Sequence, residues 1–364
     1  MTNACGLHCD LCPAAARCGK TCNFCPVTTH RLRTSNCTGC GYCPNSPLLN
    51  MDVRRRVMEQ LGGLDLTWPP ELVHPRLPEL PLHLPVLVQA YADPVDVPWV
   101  AIHGGRLLGV TGRGLTPKHR RPLHDVYRLA PASKIALEFY VEDRVLEGLW
   151  VSRRAVIREI AGAQPDLILT PNFSVWFDHP RFESLIQIRK ANLFYTELVD
   201  AGLPAVPDIS FYLFEPDGRL WAEWINSQPT LQAVSLFCGG KKVHASKRHL
   251  RETLEDIALF HQAVRPDITF ILGGVHAPQR LAAYRSAAPG RRLVFCNGMA
   301  YALAQRRRLI GQPHHVARSA RECFLLNCSH NDRVYAEILK GDLLHQMQHD
   351  ADSNISGLPN SEVA

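Results

Sequence analysis

The sequence predicts an α/β protein: a (β/α) barrel or barrel-like parallel sheet, preceded by a small cysteine-rich metal-binding module. Three observations predict it. Short apolar runs alternate with longer helical patterns through most of the chain, the pattern of repeated β-α units around a parallel sheet. Nine of the thirteen cysteines lie between Cys5 and Cys43. A proline-dense stretch separates the two regions.

The 364 residues leave room for one large core and an appendage. With 46% hydrophobic and 20% charged residues, the composition is that of a soluble globular protein. No run of about 18 apolar residues predicts a membrane span, and the N-terminus has neither the basic start nor the apolar centre of a signal peptide. The expected location is the cytoplasm. There, crowded cysteines point to metal thiolates rather than disulfides.

Residues 1–60 form the predicted module. Its cysteines fall into three groups, Cys5, Cys9 and Cys12, then Cys18, Cys22 and Cys25, then Cys37, Cys40 and Cys43. Each group ends in Cys-x2-Cys-Pro, whose two-residue gap turns consecutive thiolates onto one ion or cluster face. Three ligands per group leave every four-thiolate site needing a ligand from elsewhere. An iron–sulfur cluster is the first expectation and zinc the second, with His8 or His30 as possible nitrogen ligands. A disulfide-stapled segment is a third reading. The spacing Cys5-x3-Cys9-x2-Cys12 also matches radical S-adenosylmethionine enzymes, although there the motif follows a barrel strand and here it precedes any strand pattern. Seven Lys/Arg against two acidic residues in 1–56 give this region an excess of five positive charges. Such a balance suits an acidic partner, nucleic acid first, or simply offsets anionic metal thiolates.

Residues 61–85 are expected to be a Pro-rich linker, either a spacer or docked through Leu77, Leu80, Leu82 and Leu84. The (β/α) domain is placed at 86–345. Its expected strands are 86–91, 99–103, 134–140, 167–170, 205–210, 233–237, 269–272 and 293–296. Expected helices are 153–163, 182–201, 247–264, 278–287 and 299–309. Closeness of the first two strands leaves a hairpin-like pair open, and an open doubly wound sheet is the second architecture. The polar tail, 346–364, lacks periodicity and is expected to be disordered.

In either architecture chemistry belongs just past the carboxyl ends of the strands. Asp208 and His276 are the expected acid–base pair, since both fall at strand ends and a histidine titrates near neutral pH. Lys241 and Lys242, after Cys238 and two glycines, are expected to hold phosphate, although the full phosphate-loop motif is absent and a solvated basic loop is the simpler reading. Asn172 and Asn297 are expected to orient substrate. Cys238 and Cys296 are potential nucleophiles or ordinary buried thiols. Cys323, Cys328 and His330 either complete the metal sites or belong to a core helix. The run Arg306-Arg307-Arg308 reads as a solvated helix end.

The stretch from Leu167 to about Arg308 carries Thr170-Pro171-Asn172-Phe173-Ser174, Asp178-His179-Pro180, a helix with Gln187, Arg189 and Asn192, and then Pro204 and Pro207. In this it resembles a bacterial and phage family catalogued as a domain of unknown function, with Asn172 where the family usually has Asp. The resemblance implies the β-α repeat and an association with mobile elements or their hosts. The opening Cys5-Gly-Leu-His-Cys9 is similar to small cysteine-rich domains of unknown function.

Taken together, the sequence points to an iron–sulfur or zinc metalloprotein acting as an enzyme on nucleic acid or a nucleotide. A non-catalytic zinc-dependent nucleic-acid-binding or regulatory protein is the second reading, and a radical S-adenosylmethionine enzyme the third.

Overall fold

A computed structural model describes residues 59–62, 72–175, 181–210, 217–239, 247–312 and 314–340. The cysteine module, Asp178 to Pro180, Lys241, Lys242 and the tail lie outside the described residues.

Eight parallel strands run in sequence order around a ring: β1 His83–Leu87, β2 Trp99–His103, β3 Lys134–Glu138, β4 Leu167–Leu169, β5 Ala205–Val206, β6 Ala233–Phe237, β7 Thr269–Gly273 and β8 Leu293–Asn297. Strands β1 and β8 close the ring through His83–Phe295, Leu84–Cys296 and Pro85–Asn297. Between β5 and β6 the joint is a single parallel bridge, Asp208–Ser235. It is held by the Ile209 N–H donating to Ser235 O at 2.7 Å and the Ser235 N–H to Pro207 O at 2.9 Å. This is a (β/α) barrel.

Period-2 alternation decides what fills it. Leu84 and Val86, Trp99 and Ala101, Ala136, Leu167 and Leu169, Val206, Ala233, Ile271, Val294 and Cys296 form one buried cluster inside the ring. The alternate residues of the same strands, such as Val100, Ile102, Ile135 and Leu137, join a second cluster with the surrounding helices.

The helices are α1 Gly104–Leu107, α2 Leu123–Tyr127, α3 Asp143–Val151, α4 Arg153–Ala163, α5 Arg181–Asp200, α6 Arg219–Asn226, α7 Lys247–Ala263, α8 Pro278–Ala287, α9 Met299–Gln305 and α10 Ala320–Lys340. Each longer helix buries one stripe. Val156, Ile157 and Ile160 do so on α4, and Phe194, Tyr195 and Leu198 on α5. Each such side chain contributes about 1.5–3 kcal/mol of burial. The C-terminal end of α7 is capped by Arg291, whose buried guanidinium donates to the carbonyls of His261, Val264, Arg265 and Ile268. The carbonyls of His261 and Val264, at the end of the helix, have no partner within it, those of Arg265 and Ile268 lie in the turn that follows, and the cation meets the negative end of the helix dipole.

Several boundaries differ from the sequence reading, mostly at prolines. Strand β1 begins at His83 and contains Pro85, which the sequence reading places in the linker. The first two strands are parallel, not a hairpin, with Val86 opposite Ala101. β5 stops at Val206 because Pro207 offers no donor to continue the ladder. α9 stops at Gln305, and Arg307 turns left-handed at φ 49°.

From residue 72 the Pro-rich segment lies against the amino-terminal end of the barrel. The Leu72 N–H donates to Gln228 Oε1 at 2.9 Å, Arg292 Nη2 donates to Leu80 O at 2.6 Å, and Leu77 and Leu80 pack on the interior cluster. One end of the ring is therefore stoppered by the chain's own backbone.

Candidate active site at the carboxyl end of the barrel

The inward alternation that gives alanine and leucine lower in the barrel gives polar residues at its carboxyl end. His103 follows Ala101 on β2, Glu138 follows Ala136 on β3, Asp208 follows Val206 after β5, and Ser235 follows Ala233 on β6. Two cross-strand pairs result. His103 and Glu138 stand opposite each other in the β2–β3 register, and Asp208 and Ser235 form the β5–β6 bridge.

The first pair is bonded between His103 Nδ1 and Glu138 Oε1. Burial works to lower the His103 pKa, but the hydrogen bond and charge of Glu138 outweigh it and raise the histidine above its ordinary value. The Glu138 side chain is 4% exposed and His103 29%, so the carboxylate orients a ring that solvent can reach. The other Glu138 oxygen, Oε2, accepts the Tyr140 N–H at 2.8 Å. Gly104 and Gly105 make room for this arrangement: a Cβ on Gly104 would lie 2.4 Å from Phe139, and one on Gly105 2.9 Å from His103 Nε2.

The second pair centres on Asp208, which is buried. Asn172 Nδ2 donates to Oδ1 at 2.6 Å, and Ser235 Oγ donates to Oδ2 at 2.9 Å. The Asp208 N–H donates to Thr170 Oγ1 at 2.7 Å. Burial pushes the Asp208 carboxyl up to about 7, with the hydrogen bonds from Asn172 and Ser235 acting in the opposite direction. The group therefore titrates near neutral pH, where an acid–base residue works best.

Tyr140 joins the two pairs. From the end of β3 its ring crosses the barrel to β6 and β7, stacking on Phe237 with centroids 4.6 Å apart. It fits because position 273 is glycine, where a Cβ would lie 2.5 Å from the ring. Its hydroxyl approaches Asp208 and Ser235 without hydrogen-bond geometry, and burial raises its pKa well above the ordinary value.

The expected residues divide as follows. Asp208 and Asn172 are brought together. His276 lies half-buried after β7, with Nδ1 3.4 Å from Gly274 O, and the contacts of both Asp208 oxygens go to Asn172 and Ser235. Asn297 is buried and committed to the fold: Nδ2 donates to Val275 O and Tyr335 Oη, each at 2.9 Å, and Oδ1 accepts the Met299 N–H. Burial pushes the Cys238 thiol up to about 12 and that of Cys296 well above the ordinary value, which keeps both protonated. Cys323 and Cys328 are buried on α10, and Arg306 and Arg307 are exposed at the end of α9. Among the described residues no group of three or more potential ligands could hold a metal ion. None of the described helices is long and apolar enough to cross a membrane. An open cleft of about 600 Å³ lies on the outer wall, lined by Gln60 and residues of the α3–α4 junction, none of them from the polar cluster.

Sequence reasoning missed His103, Glu138, Tyr140 and Ser235. For Glu138 the signal was present: a carboxylate inside the apolar run Lys134–Tyr140, with the parity of Ala136.

No protein-family model matches the chain, and no curated protein matches it. Solved structures with a similar course include "Structure of a cube-shaped, highly porous protein cage designed by fusing symmetric oligomeric domains", 14% identical over 75% of this chain and 80% of that one, TM-score 0.35. Another is "Native KDPGal structure", 13% identical over 73% and 99%, TM-score 0.36. Both are distant, and nothing about the chemistry of this chain follows from either.

Proposed function

We propose that the protein is a general acid–base enzyme acting on nucleic acid or a nucleotide, with its centre at the carboxyl end of the barrel. The observation that carries the acid–base part is the buried Asp208, poised near pH 7 beside an amide donor, across the interior from a histidine oriented by Glu138. One group is ready to take a proton and the other to give one, the division of labour that such catalysis needs. His276 follows β7, and the pair Lys241–Lys242, which comes soon after β6 in the sequence, would meet phosphate. The basic excess of residues 1–56 supports an anionic polymer or nucleotide as partner.

The nine cysteines, Cys5 to Cys43, are the proposed ligands of an iron–sulfur cluster or zinc, serving as a structural, docking or electron-transfer element. Metal and sulfide analysis of protein purified anaerobically distinguishes the two. Iron with acid-labile sulfide supports the cluster, stoichiometric zinc without sulfide supports zinc, and absence of both metals overturns the assignment.

The acid–base reading is tested by screening nucleotides and short RNA and DNA for turnover, then comparing Asp208→Asn and His103→Gln. A loss of about 10²–10⁴ in rate in both folded variants is expected. Unchanged rates in both would remove these residues from the chemistry.

A further inference from the structure

Resting on the acid–base reading above, we infer that the barrel mouth holds a planar nitrogen heterocycle, a nucleobase, stacked on Phe237. Phe237 is the last residue of β6 and has the inward parity of Ala233 and Ser235. Where β2 and β3 end in His103 and Glu138, β6 ends in an aromatic ring that remains 40% exposed, level with Gly273 on β7. At the mouth of the barrel the exposed part of such a ring offers a stacking surface to a planar ligand.

The ring is held as a rigid surface. It stacks on Tyr140 with an interplanar angle of 28°, and its edge meets two glycines. A Cβ on Gly239 would lie 2.8 Å from Gly274 Cα and 3.0 Å from the Phe237 ring, and one on Gly274 would lie 2.5 Å from Gly239 Cα. The two glycine backbones thus pack directly against each other and against the ring edge, which fixes the platform from this side as well.

Polar groups at the same end of the barrel suit the edge of a base rather than a plain hydrocarbon. The Asn172 amide is fixed by its bond to Asp208, which leaves its carbonyl oxygen as an acceptor for a ring or exocyclic N–H. His103, bonded to Glu138 through Nδ1, keeps Nε2 for a polar partner. Asp208, close to neutrality, can exchange a proton with a ring nitrogen. Stacking on an aromatic face with hydrogen bonding at the edge is the general means of holding an unpaired base.

The test uses the full-length protein and isothermal titration with adenosine, guanosine, cytidine and uridine, and with 5,6-dihydrouridine and ribose as probes lacking an aromatic ring. At least one nucleoside is expected to bind with a dissociation constant of about 1 mM or tighter. Phe237→Leu should weaken that binding about 10- to 100-fold, and Phe237→Trp should retain it. Dihydrouridine and ribose should not compete.

Binding of no nucleoside, or equal binding to Phe237→Leu, overturns the platform. Should turnover of a non-aromatic substrate depend on Asp208 and His103, the acid–base reading stands and the platform falls. Should nucleosides bind through Phe237 while Asp208→Asn and His103→Gln leave turnover unchanged, the platform stands and the acid–base reading falls.

Discussion

Replacing Asp208 with asparagine separates the cost of a buried charge from the shape of the site. Asparagine keeps an Oδ1 to accept from Asn172 and offers an N–H to Ser235 Oγ, so the hydrogen-bond geometry survives. In the native protein, burial raises the carboxyl from 3.8 to about 7, while the unfolded chain returns to the ordinary value. Between those pH values the folded state holds a proton that the unfolded state has lost. The stability of the neutral carboxyl is fully present below the unfolded value and is lost as pH rises through about 7. The interval between the two values corresponds to on the order of 4 kcal/mol. Equilibrium urea unfolding, followed by tryptophan fluorescence between about pH 5 and pH 8.5, measures the part of it that falls above pH 5, about 2–3 kcal/mol. The native protein should lose about 2–3 kcal/mol across this range relative to Asp208→Asn. Parallel stability curves would refute the reasoning, because they would mean that the folded protein tolerates the charge as readily as water does.

Glu138→Gln should let burial prevail at His103, bringing its titration below the ordinary histidine value in an NMR pH series. It should also remove the stability that the raised pKa supplies at acid pH and that is lost as pH rises through the raised value. Gly273→Ala should displace the Tyr140 ring and cost about 1–3 kcal/mol in chemical denaturation, with the near-ultraviolet aromatic signal altered. Arg291→Met should leave the carbonyls at the end of α7 without their donor and cost roughly 3 kcal/mol, with faster amide exchange concentrated in α7. An unchanged unfolding midpoint for either variant would contradict the packing or the capping described above.

The barrel was legible because its strands carry short, mainly apolar runs, and Trp99–His103 and Ala233–Phe237 match their expected limits. Pro85 falls in the expected linker although it lies within β1, and the expected fifth strand runs on through Pro207, which offers no donor to continue the ladder. Asp208 and Asn172 were legible as polar residues beside prolines at strand ends. Their partners were not, because His103 and Tyr140 finish apolar runs and read there as ordinary strand residues. Pairing His103 with Glu138 required the β2–β3 register, which no single strand encodes. Phe237 was hidden for the same reason, since exposure is a property of the assembled ring.

The way the ring closes also bears on how quickly it forms. Seven of the eight strand pairings join neighbours in sequence, and only β1 with β8 joins the two ends of the barrel. The Arg292 bond to Leu80 at this seam spans 212 positions. Neighbouring units can therefore assemble through short loop closures, whereas sealing the seam must bring distant chain segments together before any ladder bond rewards it. The Leu80 end of the amino-terminal stopper lies at the same seam, so sealing it both completes the sheet and anchors that part of the stopper. Substitutions at Leu80 or Arg292 should consequently speed unfolding more than they slow the early phases of refolding.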